Sequence, residues 1–302
     1  MRLVFAGTPA IAIPALTELS LAHTVVAVIT REDAPVGRKR VLTQSPVAQA
    51  AHQLSLHVIK ANRLTEDVTE QIALFSPDLG VVVAYGGLVR EPLLSAPSRG
   101  WINLHFSLLP RWRGASPVQQ ALIAGDTSTG ASVFQLTKAL DEGEVFSEIR
   151  HQISPDVTAG ELLAELAVSG AKLLTKTVAE IALGTAASVP QRGEVTYAPK
   201  LTSADGRLDF RSSFDVVYSR FRGVTPEPGA WCLVRGERMK ILDATRGADI
   251  VLDSGRITQY NNRILVGTAT FPMELITLQP SGKRAMTALE WWRGTSGEVE
   301  CE

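Results

Sequence analysis

The chain has 302 residues, of which 45% are hydrophobic and 20% are charged, and its 30 basic residues nearly balance 31 acidic ones. This composition is typical of a folded globular protein and excludes a disordered chain. The formal net charge of −1 gives no global field that would attract a polyanion. No apolar run is long enough to span a bilayer, so no membrane association is expected. Because the length exceeds that of one usual hydrophobic core, we expect two domains.

The N-terminus and the cysteines indicate a cytoplasmic protein. Residues 1–6 lead directly into a predicted turn at Gly7-Thr8-Pro9, which is not the pattern of a signal peptide. The two cysteines, Cys232 and Cys301, have no metal-ligand spacing and predict neither a structural disulfide nor a metal site. We therefore expect a cytoplasmic protein without a bound metal. A monomer is our expectation for the oligomeric state, although no sequence feature indicates it.

Strand and helix patterns alternate over the first two thirds of the chain, as in a parallel, Rossmann-like sheet. The predicted strands are continuous apolar runs, as expected of strands covered on both faces: residues 3–6, 25–29, 79–84 and 102–105. The predicted helices are residues 11–19, 46–54, 65–75 and a long helix from the capping box Thr158-x-x-Glu161 to Gly184. The turn at Gly7-Thr8-Pro9 lacks the Gly-x-Gly-x-x-Gly spacing, which argues against NAD.

The periodicity disappears between residues 186 and 205, where prolines and glycines interrupt the chain. We therefore predict a first domain at 1–188, a linker at 189–206 and a second domain at 207–302.

The second domain has a predominantly β pattern. A helix is predicted at 214–222, and short strands are predicted at 231–234, 239–242, 250–252, 257–260 and 264–266. Asn261-Asn262 is a hairpin signal between the last two strands. About five such strands fit a small OB-type barrel, whose usual ligands are oligonucleotides, but also a small sandwich. From Asp205 onward the chain has 13 basic and 13 acidic residues, so its net charge of zero adds no support for a nucleic-acid partner.

Two polar side chains, Asn103 and His105, lie on the predicted strand at 102–105. Because side chains alternate along a strand, Asn103 and His105 lie on the same face. Ligands of open α/β sheets bind at such carboxyl ends of strands. Asp141, in an acidic loop after a strand-like stretch at 131–137, supplies a carboxylate. An Asn, a His and a carboxylate can form a metal-free acyl-transfer site. A core strand with one satisfied histidine is the alternative, but the neighbouring Asn103, the shared face and the acidic loop favour a functional site.

Four motifs together resemble the methionyl-tRNA formyltransferase family. In chain order they are Phe-Ala-Gly-Thr-Pro at 5–9, Val-Val-Ala-Tyr-Gly at 82–86, Ser-Leu-Leu-Pro-Arg-Trp-Arg-Gly at 107–114 and Leu-Asp-Glu-Gly at 140–143. The third motif is shared more widely among formyltetrahydrofolate-using enzymes, so by itself it indicates only that superfamily. Trp112 and the two-domain length favour the methionyl-tRNA formyltransferases within it. The resemblance runs over essentially the whole chain and implies a formyltransferase fold followed by an OB-type barrel that binds tRNA.

The resemblance implies a reaction and a catalytic trio. The formyl group of 10-formyltetrahydrofolate would pass to the α-amino group of methionine on initiator methionyl-tRNA, giving N-formylmethionyl-tRNA for translation initiation. Asn103 and a protonated His105 would stabilise the oxyanion of the tetrahedral intermediate. Asp141 would raise the pKa of His105, keep its imidazole cationic and help to pass the proton of the amine to water. No metal is implied.

The resemblance also implies the binding residues. The folate site would contain Ser107, Leu108, Leu109 and Pro110, partly through backbone groups, with Tyr85 and Gly86 nearby; Tyr85 fits a core aromatic equally well. Arg38, Lys39 and Arg40 lie in a basic loop that would contact the tRNA acceptor stem. Composition alone is equally compatible with a solvated loop, but loops after parallel strands lie at the ligand-binding edge.

Three alternative functions remain open. A purine-pathway ribonucleotide or an amino sugar nucleotide could be the formyl acceptor, although the C-terminal domain and the loop at 38–40 favour tRNA. A hydrolase of the formyl donor is expected to carry a preceding small-molecule-sensing domain, and we expect none here because the chain begins directly with a strand. A catalytically inactive RNA-binding module is disfavoured by the intact Asn103, His105 and Asp141.

Overall fold

The computed structural model describes residues 1–37 and 40–302. In this part of the chain the strands are β1 (Arg2–Gly7), β2 (Thr24–Thr30), β3 (Ala34–Val36), β4 (Val41–Thr43), β5 (Val58–Lys60), β6 (Leu79–Val83), β7 (Trp101–His105), β8 (Arg113–Gly114), β9 (Ser128–Gln135), β10 (Val145–Gln152), β11 (Tyr197–Ala198), β12 (Ala230–Val234), β13 (Glu237–Arg246), β14 (Arg256–Tyr260), β15 (Arg263–Val266), β16 (Met273–Pro280), β17 (Met286–Thr287) and β18 (Val299–Glu300).

The α-helices are α1 (Ile13–Ala22), α2 (Pro46–Gln53), α3 (Glu66–Leu74), α4 (Pro117–Ile123), α5 (Ala159–Leu183), α6 (Phe214–Val224) and α7 (Ala288–Arg293). Short 3-10 helices cover Ala10–Ala12, Leu93–Ser95 and Ala204–Gly206. Within the described residues, no helix combines the length and apolarity needed to cross a membrane.

The chain divides into two compact units. The first comprises Met1–Pro117, Ser128–Gln152 and Leu163–Ala198, and the second comprises Val118–Thr127, Ile153–Leu162 and Pro199–Glu302. Both units are therefore discontinuous along the sequence.

The first unit is built on a seven-stranded sheet of order β10-β9-β7-β6-β1-β2-β5. The five strands from β7 to β5 are parallel, whereas β9 and β10 are antiparallel. Trp101 at the start of β7 is fully buried, and its indole Nε1 donates to the carbonyl of Leu93 at 2.8 Å. A Cβ at Gly80 would lie 2.1 Å from the Trp101 ring, so only glycine fits there. This packing fixes β7, the strand that carries Asn103 and His105.

The predicted mostly parallel sheet is confirmed, with small shifts of element ends. All four predicted strands are present, and the long helix begins at a capping box in which the Thr158 amide donates to Glu161 Oε2 at 2.9 Å. The sequence pattern did not predict β10 or the paired strands β3 and β4, which are short or highly exposed.

The second unit contains an antiparallel sheet of order β12-β13-β16-β15-β14-β18. The backbones of Leu233 and Glu302 donate to each other, and Val234 pairs with Cys301. The two edges of the sheet thus meet, which is consistent with the predicted small barrel. Its core contains Cys232 and Cys301, which are free and have their Sγ atoms 2.9 Å apart.

One strand prediction in the second unit is wrong. Residues 250–252 form no strand, and Val251 is fully exposed, because an apolar triplet without a pairing partner is insufficient. The hairpin at Asn261-Asn262 is confirmed, since both residues have a positive φ between β14 and β15.

Candidate active site

The loops that follow β1, β2 and β6 are tied together at the carboxyl edge of the parallel strands. Thr8 Oγ1 donates to the carbonyl oxygen of Tyr85 at 3.2 Å. Arg31 Nη2 donates to the carbonyl oxygen of Gly86 at 2.5 Å. The sheet therefore presents an ordered edge where ligands of this fold class bind.

The structure places His105 and Asp141 together, with Asn103 two residues before His105 on β7. His105 Nδ1 lies 3.9 Å from Asp141 Oδ2, and both residues are buried. The same Oδ2 atom accepts a hydrogen bond from the Gly114 amide at 2.8 Å. Asn103 is half-buried, and no described protein group hydrogen-bonds its side chain. Its amide can therefore donate to a ligand.

The hydrogen bond of His105 Nε2 defines its neutral tautomer. Nε2 lies 2.9 Å from the carbonyl oxygen of Trp112, which can only accept, so Nε2 carries the proton. In the neutral imidazole, Nδ1 is then the basic nitrogen, and it faces Asp141.

The expectation of a cationic His105 is corrected by the structure. Burial lowers the pKa of His105, and this effect outweighs the opposing effects of the Asp141 charge and the Trp112 carbonyl. The neutral form is therefore favoured at neutral pH in the free protein. The sequence suggested the partner carboxylate but not the degree of burial.

The lowered pKa of His105 predicts an acid-sensitive fold. Between the ordinary value of 6.5 and the lower folded value, the unfolded chain binds a proton that folded His105 does not. The free energy of unfolding should therefore decrease as the pH falls below 6.5, by up to about 1.4 kcal/mol per pH unit. Urea denaturation at pH 7.5 and 5.5 measures this dependence.

The matched control is His105→Gln, whose amide can still donate to the Trp112 carbonyl. This variant should lose less stability between pH 7.5 and 5.5, because the contribution of His105 is removed. Any remaining pH dependence comes from other groups, among them the four other histidines. Identical pH dependence in both proteins would show that His105 is not held neutral by the fold.

The predicted folate segment is largely buried and internally hydrogen-bonded. Ser107 Oγ donates to the Arg111 carbonyl at 2.6 Å, and the Ser107 carbonyl accepts from Ser132 Oγ at 2.8 Å. The Leu109 amide donates to Ser132 Oγ at 3.2 Å. Pro110 is buried, whereas Leu108 is half-buried. Leu108 is thus the member of the segment whose side chain is most accessible to a ligand.

The ring of Tyr85 belongs to the core of the first unit. It is 1% exposed, and its hydroxyl donates to the Ala61 carbonyl at 2.6 Å. Burial raises the pKa of Tyr85, so the hydroxyl stays protonated. Gly86 is exposed and has a φ of +75°, which glycine adopts without strain. Any ligand contact of this pair is therefore made by the backbone or by Gly86.

The basic loop lies between β3 and β4, which pair antiparallel. Arg38 and Lys39 lie outside the described residues. Arg40 is exposed, and its amide donates to the Gly37 carbonyl at 3.1 Å.

Three residues that the sequence analysis did not assign to the site surround Asp141: Arg113, Glu142 and Gln191. Arg113 and Glu142 lie inside the recognised motifs, which is a signal that could have identified them. Gln191 lies 50 residues from Asp141 in the predicted linker, and no local pattern marks it. Among the described residues, no group of three His, Cys, Asp or Glu side chains could hold a metal ion.

Solved structures show the same fold. An N-formyltransferase from Helicobacter canadensis, crystallised with folinic acid and dTDP-3-aminofucose, matches with a TM-score of 0.70 at 16% identity over 93% of this chain and 99% of that chain. HypX from Aquifex aeolicus in complex with tetrahydrofolic acid matches with a TM-score of 0.66 at 14% identity over 96% of this chain and 46% of that chain.

Comparisons of sequence identify the family more specifically than the likeness in fold does. The model of the formyl transferase family matches residues 1–178, and that of its C-terminal domain matches residues 200–296. The methionyl-tRNA formyltransferase of Leifsonia xyli is 62% identical over 99% of both chains. That of Clavibacter sepedonicus is 55% identical over 98% of both chains. The chain therefore belongs to the formyl transferase family and, within it, to the methionyl-tRNA formyltransferases.

Proposed function

We propose that the protein transfers the formyl group of 10-formyltetrahydrofolate to the α-amino group of methionine on initiator methionyl-tRNA. The observation that carries this proposal is the juxtaposition of Asn103, His105 and Asp141 in a chain that is 62% identical to a methionyl-tRNA formyltransferase over nearly its full length. The product, N-formylmethionyl-tRNA, starts translation, and we place the reaction in the cytoplasm on that ground.

The reaction begins with attack of the uncharged amine on the formyl carbon. The carbonyl electrons move to oxygen, and the side-chain amide of Asn103 donates a hydrogen bond to this oxyanion. A preorganised donor of this kind contributes about 3 to 4 kcal/mol. Its availability in the free protein supports this role.

The attacking nitrogen loses its proton to Nδ1 of neutral His105. The resulting imidazolium donates from Nε2 to the Trp112 carbonyl and is stabilised by the Asp141 carboxylate beside Nδ1. When the tetrahedral intermediate collapses, the bond to N10 of the folate breaks and N10 takes the proton from His105. One histidine thus acts as base and then as acid, which is typically worth a factor of about 100 to 10,000 in rate.

The folate donor is proposed to lie against the loops at the carboxyl edge. Proteins of this fold have been crystallised with folinic acid and with tetrahydrofolic acid, which supports a folate derivative as the donor. In this chain the half-buried Leu108 and the exposed Gly86 are the accessible members of the proposed set. Ser107, Leu109 and Pro110 would shape the site mainly through the backbone.

The tRNA is proposed to contact both the basic loop at 38–40 and the C-terminal domain. We assign residues 1–188 to catalysis, 189–206 to a linker and 207–302 to a tRNA-binding domain, acting in a monomer. The antiparallel sheet of the second unit supports this role, since barrels of this kind commonly bind oligonucleotides. Arg38, Lys39 and Arg40 would contact the acceptor stem.

The direct test is an assay of the purified full-length chain. It is incubated with 10-formyltetrahydrofolate and charged initiator tRNA in EDTA, and formylmethionine is measured after deacylation. We expect tRNA-dependent formylmethionine. Formylation of an amino sugar nucleotide or of a purine-pathway ribonucleotide instead, or folate hydrolysis alone, would overturn the proposed acceptor.

The basic loop gives a second prediction. Replacing Arg38, Lys39 and Arg40 by alanine should remove up to about three counterion-release contacts and flatten the salt dependence of tRNA binding. Because contacts that position the amine also affect reaction geometry, turnover should stay slow at saturating tRNA. Fluorescence titration at several salt concentrations measures the first effect.

Folate affinity serves as the internal control and should not change in the triple variant. Unaltered tRNA affinity and salt slope would identify the loop as merely solvated, since exposed charges without a partner contribute little. Full recovery of turnover at high tRNA would reduce its role to an electrostatic tether.

A further inference from the structure

The segment that follows α5 is built into the active-site edge of the first unit. Val189 pairs with Val145 at the start of β10, and β11 pairs in parallel with β8. Thr196 Oγ1 accepts from the Trp112 amide at 2.9 Å, and the Thr196 carbonyl accepts from the Arg113 amide at 2.9 Å. The first part of the predicted linker, residues 189–198, is therefore hydrogen-bonded to the loop that contains Trp112 and Arg113.

Gln191 uses its whole amide group in this contact. Its Nε2 donates to the carbonyl oxygens of Asp141 and Gly143, both at 2.8 Å. Its Oε1 accepts from Nη2 and Nε of Arg113 at 2.7 and 3.2 Å. An amide nitrogen has two hydrogens and an amide oxygen two lone pairs, so the hydrogen-bonding capacity of Gln191 is fully used.

Arg113 is itself held in place. It is 7% exposed, and its Nη1 donates to Glu142 Oε1 at 2.9 Å. The guanidinium thus connects Gln191 on one side with Glu142 on the other. We call Gln191, Arg113 and Glu142 the Asp141 clamp.

The clamp holds the backbone of residues 141–143 in a conformation that is energetically unfavourable without supporting contacts. Asp141 has a φ of +50°, a conformation that residues other than glycine seldom adopt and that persists where the surroundings enforce it. A Cβ at Gly143 would lie 1.6 Å from the Gln135 carbonyl, so the loop passes very close to β9. The hydrogen bonds from Gln191 join these two constrained positions.

We propose that Gln191, oriented by Arg113 and Glu142, is a positioning residue that directs the Asp141 carboxylate towards His105 and the Gly114 amide. Gln191 acts through the backbone of residues 141 and 143 and need not touch the substrates. This inference rests on the proposed function only for its effect on turnover.

The first test is Gln191→Leu, which keeps the size of the side chain and removes its hydrogen bonds. Because a displacement of about 1 Å can cost roughly a hundredfold in rate, we expect kcat to fall by about tenfold to a hundredfold, with KM for the folate changed less than about twofold. NMR titration should show the pKa of His105 lower than in the unsubstituted protein, since the opposing Asp141 charge moves away.

Two further variants keep the proposal testable if Gln191→Leu does not fold. Gln191→Glu still accepts from Arg113 but cannot donate to the two carbonyls, so it should reproduce the fall in kcat. Glu142→Gln, at a half-exposed side chain, weakens only the anchor of Arg113 and should show smaller changes in the same directions. Gln71→Leu, at an exposed position on α3 away from every proposed site residue, is the matched control and should leave kcat and the His105 titration unchanged.

The two measurements, kcat and the His105 titration, distinguish a failure of this inference from a failure of the proposed function. If the unsubstituted protein does not formylate methionyl-tRNA, the proposed function fails, but the titration of His105 still tests the clamp without turnover. If folded Gln191 and Glu142 variants lose thermal stability while kcat and the His105 titration stay unchanged, Gln191 is only a structural tether and the inference is overturned.

Discussion

Replacing Asn103 by alanine is expected to lower kcat by roughly a hundredfold to a thousandfold with little effect on folding. The substitution removes the proposed donor to the oxyanion, and loss of one such donor typically has an effect of about this size. Since no described protein group hydrogen-bonds the Asn103 side chain, the change leaves no known partner unsatisfied in the free protein. Single-turnover formylation at saturating folate and tRNA measures the chemical step.

His105→Ala serves as the comparison, because it removes the proposed base and should also slow turnover by a hundredfold or more. The far-ultraviolet circular dichroism and the folate affinity of both variants should match those of the unsubstituted protein. A near-normal rate for either variant would exclude that residue from the proposed mechanism.

Replacing Asp141 by asparagine is expected to lower kcat by about a hundredfold and to change the pH profile. The amide oxygen can still accept from the Gly114 amide, so the variant removes mainly the charge beside Nδ1 of His105. Without that charge the imidazolium formed during reaction is less stable, and the pKa of His105 falls further below its ordinary value.

The sign of the pH effect is defined. In the proposed mechanism the rate depends on neutral His105, so the rate of the unsubstituted protein should decrease as the pH falls through the pKa of His105. In Asp141→Asn this acidic limb should move to lower pH while the plateau drops. The kcat/KM profile from pH 5 to 8 measures both changes, and an acidic limb that stays in place would show that Asp141 does not act on His105.

The proximity of His105 and Asp141, and the place of Asn103 on the same strand, could be predicted from the sequence because the signals are local. Asn103 and His105 alternate along one strand, and Asp141 lies in an acidic loop of a recognisable motif. The protonation state of His105 was not accessible, because it depends on burial by residues distant in sequence, among them Phe134, whose ring packs edge-on 6.3 Å from the imidazole. The contact of Gln191 with Asp141 likewise joins residues 50 positions apart in the sequence.

The same distinction applies to the fold. Strands buried on both faces were predicted because they are continuous apolar runs, and the Asn261-Asn262 turn was predicted from its two residue types. The central strand β16 was missed although Met273, Leu275 and Leu278 are buried along it. Its register with β13 shifts twice, between Ile241 and Ala244, so a regular alternation is interrupted where the two strands pair.

The discontinuous second unit has a consequence for folding during synthesis. Ile123, in the stretch Val118–Thr127, packs against the core cluster of that unit, and the rest of the cluster begins only at Leu201. In a nascent chain that has been synthesised only up to residue 198, Ile123 is present while the other members of this cluster have not yet been translated. Apolar surface that is exposed in this way is a binding site for chaperones and a risk of aggregation. Ribosomal pausing between residues 127 and 199 should therefore lower the yield of native protein more than pausing before residue 117.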